Sequence, residues 1–457
     1  MIFLAIDWAV AGVRAGQLLL SLSILVILHE FGHYITARWF KCRVEKFYLF
    51  FDPYFSLFKK KIGDTEYGIG WLPLGGYVKI AGMVDESMDK DQLGTPPQPW
   101  EFRSKPAWQR LIIMIGGVTV NILLAFIIYA GILMYYGETK VPAESVKYGI
   151  SIQDSVMYEL GLKDGDKILA ANGKPIDNYN DVIKNIILST TLTIEREGKI
   201  QEIKMPVDLI GTLVEKKKSN TPLLVPRIPS VVKETDSSMA AYQSGIRAGD
   251  YILAVNNQPA LFFDELKPAI EAQRNKVVQL VVKRGADSLQ FSVPVNAEGK
   301  IGFAALNTIE DYEAYGVLKV INRKYGFFEA IPGGVRLAID QLIFYIDQFK
   351  LIFQPETGAY KGVGGFKSMG SIFPATWDWE RFWNITAFFS IILAFMNMLP
   401  IPALDGGHVV FTLGEMITGR KPSQKFLEVA QVIGMVLLLG LMLYANGNDF
   451  FGWGKGR

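Results

Sequence analysis

The chain has 457 residues, of which 50% are hydrophobic and 20% are charged, and its formal net charge is +2. This composition places it among integral membrane proteins with a sizeable aqueous part, and the length predicts several domains. The charge gives no basic excess of the kind that nucleic-acid binding needs, and the single cysteine, Cys42, excludes an intrachain disulfide framework and a multi-cysteine metal site.

The first predicted element is a membrane span over residues 15–37, which contains no Lys, Arg or Asp. It is expected to be retained rather than cleaved, because no basic segment precedes it and no A-x-A site follows. Inside it lies the pentad HEFGH, residues 29–33. Residues four apart share a helix face, so His29 and His33 can reach one Zn²⁺ while Glu30 stands beside the metal-bound water. Ionisable groups are costly in lipid, which favours this reading over a chance match.

Three further spans are predicted at residues 111–136, 382–404 and 429–446, which makes four. Lys and Arg are concentrated in the loop 38–110 and in the short loop around Arg420, so the positive-inside rule places both loops in the cytoplasm. The termini and the long segment 138–380 are then outside, and the pentad lies in the cytoplasmic half of the bilayer.

Within the first cytoplasmic loop, residues 67–79 alternate apolar side chains with Gly and Pro. The pattern predicts a bent β-hairpin that lies against the spans near the metal, because non-helical backbone enters a membrane only where protein or water satisfies its hydrogen bonds. Its unpaired edge offers a place for a substrate strand. The alternative is an ordinary surface hairpin.

The external segment contains a duplication, because the sequence 161–175 reappears at 245–259 with a constant offset of 84 residues. Each copy is followed by an alternating strand that ends in Arg and Gly, so two similar β-rich domains are predicted in succession. Both copies resemble PDZ domains of the bacterial protease type, a fold that binds extended peptides at a strand edge. The alternative is that they act as plugs or spacers without peptide binding.

Residues 325–355 carry apolar side chains at near-helical spacing. The pattern predicts a helix that lies along the membrane surface or packs on the PDZ pair, with a buried core helix as the alternative.

The end of the third predicted span supplies a possible partner for the pentad. Asp405 follows an uncharged apolar run, and Pro400 and Pro402 break the helix just before it, which lets the backbone turn the carboxylate inward. A catalytic zinc site takes three protein ligands and leaves the fourth position to water. On the residues alone, ligation by Asp405 and an N-cap role for a helix from Gly406 are equally favoured. His408 is expected to be a solvent-side or core histidine, with a hydrogen bond to a ligand as the alternative.

Together these motifs resemble the site-2 protease family over essentially the whole chain. The resemblance rests on the pentad, the segment 116–121, the stretch PLGGYVK at 73–79, the two PDZ-like copies and the stretch NMLPIPALDGG from Asn397. It implies that His29, His33 and Asp405 bind zinc and that Glu30 is the catalytic acid/base. It also implies substrate contacts from Asn397, Gly75, Gly76 and Tyr77. The stretch 362–365 departs from the Gly-Pro that relatives tend to have.

The expected fold is a multi-pass α-helical membrane protein with four transmembrane helices, a membrane-associated β-hairpin and two tandem extracytoplasmic PDZ domains. The expected regions are 1–137 with the first two spans, 138–222 and 223–306 for the PDZ domains, 307–380 for an amphipathic membrane-surface region, and 381–457 for the last two spans.

The resemblance implies an intramembrane zinc metalloprotease of the bacterial inner membrane that acts in regulated intramembrane proteolysis. Its expected partners are single-span membrane proteins such as anti-sigma factors, together with membrane lipid, and it is expected as a monomer that binds no nucleic acid. The PDZ pair would exclude substrates whose outer domains have not been trimmed. The rival functions are a zinc transporter, which the absence of inverted repeats disfavours, and a catalytically silent membrane scaffold that presents PDZ domains.

Overall fold

The computed structural model describes residues 7–73, 75–83, 96–216 and 221–453. They divide into two compact units. The helical unit takes in the described residues of Met1–Glu138, Lys324–Phe353 and Lys361–Arg457, and the repeat unit takes in those of Thr139–Arg323 and Gln354–Tyr360.

The helices and strands alternate along the chain as follows. The α-helices are α1 (Trp8–Trp39), α2 (Ala107–Tyr135), α3 (Ser155–Glu159), α4 (Val182–Leu188), α5 (Leu209–Lys216), α6 (Ala240–Gln243), α7 (Phe263–Glu271), α8 (Ile309–Ala314), α9 (Phe327–Ile352), α10 (Phe366–Ile372), α11 (Trp379–Asn397), α12 (Asp405–Thr418) and α13 (Gln424–Phe451). The strands are β1 (Val44–Leu49), β2 (Phe51–Ile62), β3 (Thr65–Leu72), β4 (Tyr77–Ile80), β5 (Glu138–Lys140), β6 (Ile150–Ile152), β7 (Lys167–Ala171), β8 (Lys174–Pro175), β9 (Thr191–Arg196), β10 (Lys199–Lys204), β11 (Leu224–Pro226), β12 (Glu234–Thr235), β13 (Tyr251–Val255), β14 (Gln258–Pro259), β15 (Val277–Arg284), β16 (Asp287–Pro294), β17 (Phe303–Ala304) and β18 (Ile321–Arg323).

Among the described residues, three helices are long and apolar enough to cross a membrane: α1, α2 and α13. They cover the first, second and fourth predicted spans. Helix α11 overlaps the third over residues 382–397, but Glu380 and Arg381 in its first turn lower its mean hydropathy, so this span stays a prediction. Helix α11 also ends at Asn397 rather than at residue 404, because Pro400 and Pro402 prevent its continuation.

Helix α2 is the central helix of its unit and packs against α1, α9, α11 and α12. Glycines bring the backbones together, since a Cβ on Gly32 of α1 would lie 2.3 Å from the Gly116 carbonyl oxygen of α2. A Cβ on Gly334 of α9 would lie 2.5 Å from the backbone nitrogen of Ala130. Close approach through small residues is typical of helices that pack in lipid. Helix α9 packs on α2 and α11 with one face, while apolar side chains such as Phe328 and Ile343 are exposed, so the membrane-surface placement of residues 325–355 stays a prediction.

Four strands form a mixed sheet in the order β2-β3-β1-β4, with β1 parallel to β3 and antiparallel to β4. The predicted hairpin over residues 67–79 is therefore wrong, because β1 lies between β3 and β4. The glycines that suggested a turn instead make room for β1: a Cβ on Gly68 would lie 2.3 Å from the Tyr48 ring. The hairpin that does form joins β2 to β3 through Gly63, which has a φ of +60°. In the connection between β3 and β4, Leu74 is not among the described residues.

The duplication is visible in the repeat unit as two sheets with the same strand order. The first repeat has the order β10-β9-β7-β8, and the second has the equivalent order β16-β15-β13-β14. Each repeat has its own apolar core. Arg196 donates two hydrogen bonds of 2.7 Å to Asp166, and Arg284 makes the same paired contact with Asp250 at 2.7 and 2.8 Å. The PDZ assignment of both repeats stays a prediction.

Candidate metal centre

Helix α1 places the two histidines of the pentad on one buried face. His29 and His33 are 6% and 4% exposed, and they point toward α2 because Gly32 lets that helix approach. Their Nε2 atoms lie 3.3 Å apart. The prediction that helical spacing places both histidines on one helix face is confirmed.

Asp405 completes the group from a remote part of the chain. Its Oδ2 lies 3.2 Å from the Nε2 atoms of both His29 and His33. A tetrahedron with metal–nitrogen bonds of about 2.0–2.1 Å has edges of about 3.3 Å between ligand atoms, so the donor set fits Zn²⁺ in size as well as in chemistry. The side chain of Asp405 does not act as an N-cap, because α12 begins at Asp405 and its N-cap residue is Leu404. As the first residue of α12, the carboxylate is also favoured by the helix dipole.

The loop before Asp405 is tightly folded, and this explains the residues around it. Ala403 has a φ of +85°, a left-handed conformation that is strained for a residue with a side chain. A Cβ on Gly406 would lie 2.2 Å from the Leu399 carbonyl oxygen, and one on Gly434 of α13 would lie 1.5 Å from the Pro402 carbonyl oxygen. These glycines let the loop close over α12 and α13, and the loop sets the position of Asp405.

Each imidazole contacts a polar group on α2 through its Nδ1 atom. His33 Nδ1 lies 2.9 Å from the Ile113 carbonyl oxygen, to which it donates when Nε2 is the ligand atom. His29 Nδ1 lies 3.1 Å from the side-chain amide of Asn121, which is completely buried. The two ends of an amide differ only by a 180° rotation, and a metal-bound Nε2 leaves the proton on Nδ1. In the structure the amide nitrogen of Asn121 faces His29 Nδ1, and we expect the amide to rotate in the metal-bound state so that its oxygen accepts this proton.

Sequence reasoning noted Asn121 only as part of a family pattern and did not assign it a contact. The sequence did contain a signal for such a contact, because Asn121 is an amide side chain inside a predicted span of 26 uncharged residues, where a polar group needs a partner. The sequence likewise suggested no role for Gly117. A Cβ there would lie 2.4 Å from His33 Nε2 and 2.6 Å from His29 Cε1, so the glycine leaves space for a metal ion.

The predicted catalytic and substrate residues line one cavity of about 1400 Å³ beside the histidines. Glu30 is half-buried in it, and Val78 of β4 lines the same cavity. The Asn397 amide nitrogen lies 3.1 Å from His29 Nε2. The remaining residues predicted to contact substrate also line the cavity, namely Gly75, Gly76 and Tyr77. His408 is half-buried in the same lining and does not belong to the group of metal-binding atoms found among the described residues.

The far end of α12 is held by an ion pair that sequence reasoning missed. The Arg110 guanidinium of α2 lies 2.5 Å from the Glu415 carboxylate, and both side chains are largely buried. Buried ion pairs contribute geometry more than net stability. This pair fixes the helix that begins at Asp405 against the helix that contacts both histidines.

The chain is similar to known proteins over most of its length. A family model described as peptidase family M50 matches residues 17–441. The chain is 29% identical over 445 residues to a Rickettsia conorii protein named "Putative zinc metalloprotease", with 94% of this chain and 96% of that protein covered. A Vibrio cholerae protein of the same description is 28% identical over 460 residues, with 94% and 97% covered. The regulator of sigma-E protease RseP of Escherichia coli is 27% identical over 466 residues, with 95% and 98% covered.

Proposed function

The chain belongs to peptidase family M50 and is a zinc metalloprotease, and we propose that it hydrolyses a peptide bond within or near the transmembrane segment of single-span membrane proteins. The observation that carries this proposal is the set of 3.2–3.3 Å separations between two imidazole nitrogens and one carboxylate oxygen on apolar helices. A site of this kind supports metal-assisted hydrolysis.

His29, His33 and Asp405 would hold the zinc ion, which when bound lowers the pKa of a water molecule toward about 7 and polarises a carbonyl group. Glu30 acts as the general base that takes the proton of the attacking water and later gives a proton to the leaving nitrogen. Asn397, with its amide beside His29, orients the substrate main chain next to the reacting atoms.

The substrate segment must unwind before it is cut, because a helix hydrogen-bonds its own backbone and shields its carbonyl groups. Strand β4 lies at an edge of its sheet, and Gly75, Gly76 and Tyr77 precede or begin it along the cavity. This edge offers backbone partners to an extended peptide. Helix-weakening residues in the substrate should therefore favour cleavage.

We further propose the finer topology, with four spans, cytoplasmic loops at 38–110 and near 420, and the repeats and termini outside. The basic residues of the two loops support this orientation in a bacterial inner membrane. A relative is named a regulator of sigma-E protease, which supports membrane-bound anti-sigma factors as a substrate class.

The two repeats are proposed to be PDZ domains that select substrates by excluding untrimmed outer domains, and the second is the better candidate for peptide contact. A cavity of about 500 Å³ runs between α7 and the strands β12 and β17, and Met239, Phe263 and Leu266 line it. In the first repeat, the corresponding strand β6 is buried in a core shared with Leu209 and Leu213 of α5. Deletion of both repeats should broaden the cleavage of untrimmed substrates, and unchanged selectivity would count against a filter.

Glu30→Gln tests the enzymatic assignment directly. The variant should lose cleavage of a single-span model substrate while zinc measured by elemental analysis stays bound, because the amide cannot take the proton of water. The matched control is Glu298→Gln, an exposed position in the repeat unit that should cleave normally. Unaltered cleavage by Glu30→Gln would refute the assigned role. Zinc flux through proteoliposomes without any cleavage would favour a transporter, and absence of cleavage, zinc binding and flux in the unsubstituted protein would favour a scaffold.

A further inference from the structure

The hairpin formed by β2 and β3, which we call the β2–β3 hairpin, carries an apolar surface outside the catalytic cavity. Strand β2 is an edge strand of 12 residues. Five of its apolar side chains are more than half exposed: Tyr54, Phe55, Leu57, Phe58 and Ile62. In water, a long apolar edge of this kind invites aggregation, so it needs a cover.

The hairpin lies against the end of α1. The Tyr34 hydroxyl of α1 is hydrogen-bonded at 2.7 Å to that of Tyr67 on β3. The hairpin turn is held near the exit of the span, since Asp64 lies 4.0 Å from Arg43, four residues beyond the end of α1. Trp39, the last residue of α1, is 76% exposed, as expected of an aromatic side chain at the level of lipid headgroups. The turn therefore lies close to the boundary between lipid and water.

Positive charge follows the apolar run at this boundary. Lys59, Lys60 and Lys61 are all exposed, and none forms an ion pair with another residue of the described chain. Alternation along a strand places Lys60 on the same face as Phe58 and Ile62. A lysine flanked by apolar side chains can lay its methylene groups along lipid and carry its ammonium group to the phosphate level.

The backbone of β2 argues for the interface rather than for the hydrocarbon interior. An open sheet edge is not stable in hydrocarbon, because its free N–H and C=O groups find no partners there. Headgroups and water supply those partners at the interface, and Pro53 removes one donor from the edge.

We infer that the β2–β3 hairpin is an interfacial anchor that binds the phosphate groups of anionic phospholipids through Lys59, Lys60 and Lys61, with its apolar side chains among the upper acyl chains. This inference is independent of the zinc chemistry. A substrate strand at this edge is the other possible occupant, but β2 and β4 lie at opposite edges of the sheet with two strands between them, about 14 Å apart. The cavity is lined by all of β4 but only by the first residues of β2, Phe51–Pro53, so a peptide along the exposed part of β2 from Tyr54 to Ile62 would lie outside it.

The anchor has a consequence for the catalytic cavity. Strand β3 continues from the hairpin to Leu72, and Leu72 and the following Pro73 line the cavity. Headgroup contacts at one end of the hairpin therefore set the depth of the cavity wall at the other end.

The test uses the full chain in nanodiscs that contain equal amounts of phosphatidylglycerol and phosphatidylcholine, with retained lipids counted by native mass spectrometry. Because each lysine near an anionic surface contributes a roughly five-fold preference, replacing all three lysines by Gln should lower the phosphatidylglycerol preference by about 100-fold. Replacing all three by Arg should preserve it. A control variant removes the same charge elsewhere: Gln replaces Lys199, Lys204 and Lys276, which are exposed in the repeat unit. This variant should leave the preference unchanged.

Zinc content should be normal in every variant, which separates a lipid defect from misfolding. The inference is overturned if the Gln variant keeps the preference, or if the control loses it equally. A photo-crosslinker at Phe58 should label lipid, and labelling of a substrate peptide there instead would assign the edge to substrate and overturn the lipid assignment.

Discussion

The metal centre and the two repeats are assembled in opposite ways. His33 and Asp405 come from elements far apart in sequence, and each is positioned by glycines that leave no space for a methyl group, Gly32 where α1 meets α2 and Gly406 at the start of α12. Each repeat instead closes its own sheet, core and Arg–Asp pair within a short stretch of chain. The metal centre therefore depends on long-range steric fit, whereas each repeat depends on local contacts. Changes of similar size should affect function in the first region and local stability in the second.

The largest effect is expected from Gly117→Ala. The added methyl group would lie 2.4 Å from His33 Nε2, and both imidazole rings are held by Nδ1 contacts with α2, so the metal ligands must separate. Zinc measured on the purified protein should fall to background, and cleavage should decrease by at least about 100-fold, as for a lost catalytic group.

Gly131→Ala is the matched control on the same helix. No atom lies within 4 Å of a Cβ at this position, and Ala is the better helix former, so zinc content and activity should not change. Normal zinc content in Gly117→Ala would show that the metal centre is not set by steric fit.

The next effect concerns the repeats. Arg284→Met leaves the Asp250 carboxylate, which is 1% exposed, without its bidentate partner. Removal of one member of a buried pair typically destabilises by about 3 kcal/mol. Hydrogen exchange of the β13 and β15 amides should accelerate accordingly, while β7 and β9 of the first repeat and the zinc content stay unchanged.

Arg196→Met is the reciprocal variant and should accelerate exchange only in β7 and β9. Loss of zinc in either variant would contradict the separation between the two regions. Acceleration in both repeats from one substitution would show that the repeats unfold together.

A smaller effect is expected at Asn121, which acts on the metal through His29. Asn121→Leu removes the acceptor for the Nδ1 proton and should weaken zinc binding by about 10- to 100-fold, measured by competition with a chelator. Asn121→Asp keeps an acceptor of the same shape and should retain zinc. If Asn121→Asp loses zinc as Asn121→Leu does, the amide donates to His29 and the assigned orientation is wrong.

The parts of the site that depend on local periodicity could be predicted from the sequence. His29, Glu30 and His33 follow from helical spacing alone, because their relation is fixed within one helical turn. The partnership with Asp405 came from the family resemblance, since the residues alone left an N-cap role equally open. The structure excludes the N-cap role and places the carboxylate beside both histidines, through a loop whose shape depends on contacts of Gly406 and Gly434 with other backbone segments.

The strand pairing of the sheet β2-β3-β1-β4 could not be predicted from the local sequence pattern. Glycines 68 and 70 gave the pattern of a turn, but they make room for Tyr48 and Phe51 of neighbouring strands. Strand pairing is a tertiary property, and the parallel pairing of β1 with β3 leaves no local signal. The ion pair between Arg110 and Glu415 was missed for the same reason, because its members are 305 residues apart.

The smallest expected effect is a loss of stability in the second repeat at low pH. Burial raises the pKa of Asp250, but hydrogen bonds from Arg284 and the Arg247 backbone N–H outweigh it and hold this pKa below its usual range. The hydrogen bond from Lys233 holds the pKa of Asp311 at about 2, against the opposing effect of burial. A carboxyl group whose pKa is lowered by folding stabilises the fold fully above its unfolded pKa of about 3.9, and this stability is lost as the pH falls toward the folded value.

Exchange protection of β13 and β15 should therefore decrease between about pH 5 and pH 2. Lys233→Met should weaken the contribution of Asp311, so protection near residue 311 should depend less on pH in this range. An unchanged pH profile in Lys233→Met would assign the acid sensitivity to Asp250 and its neighbours alone.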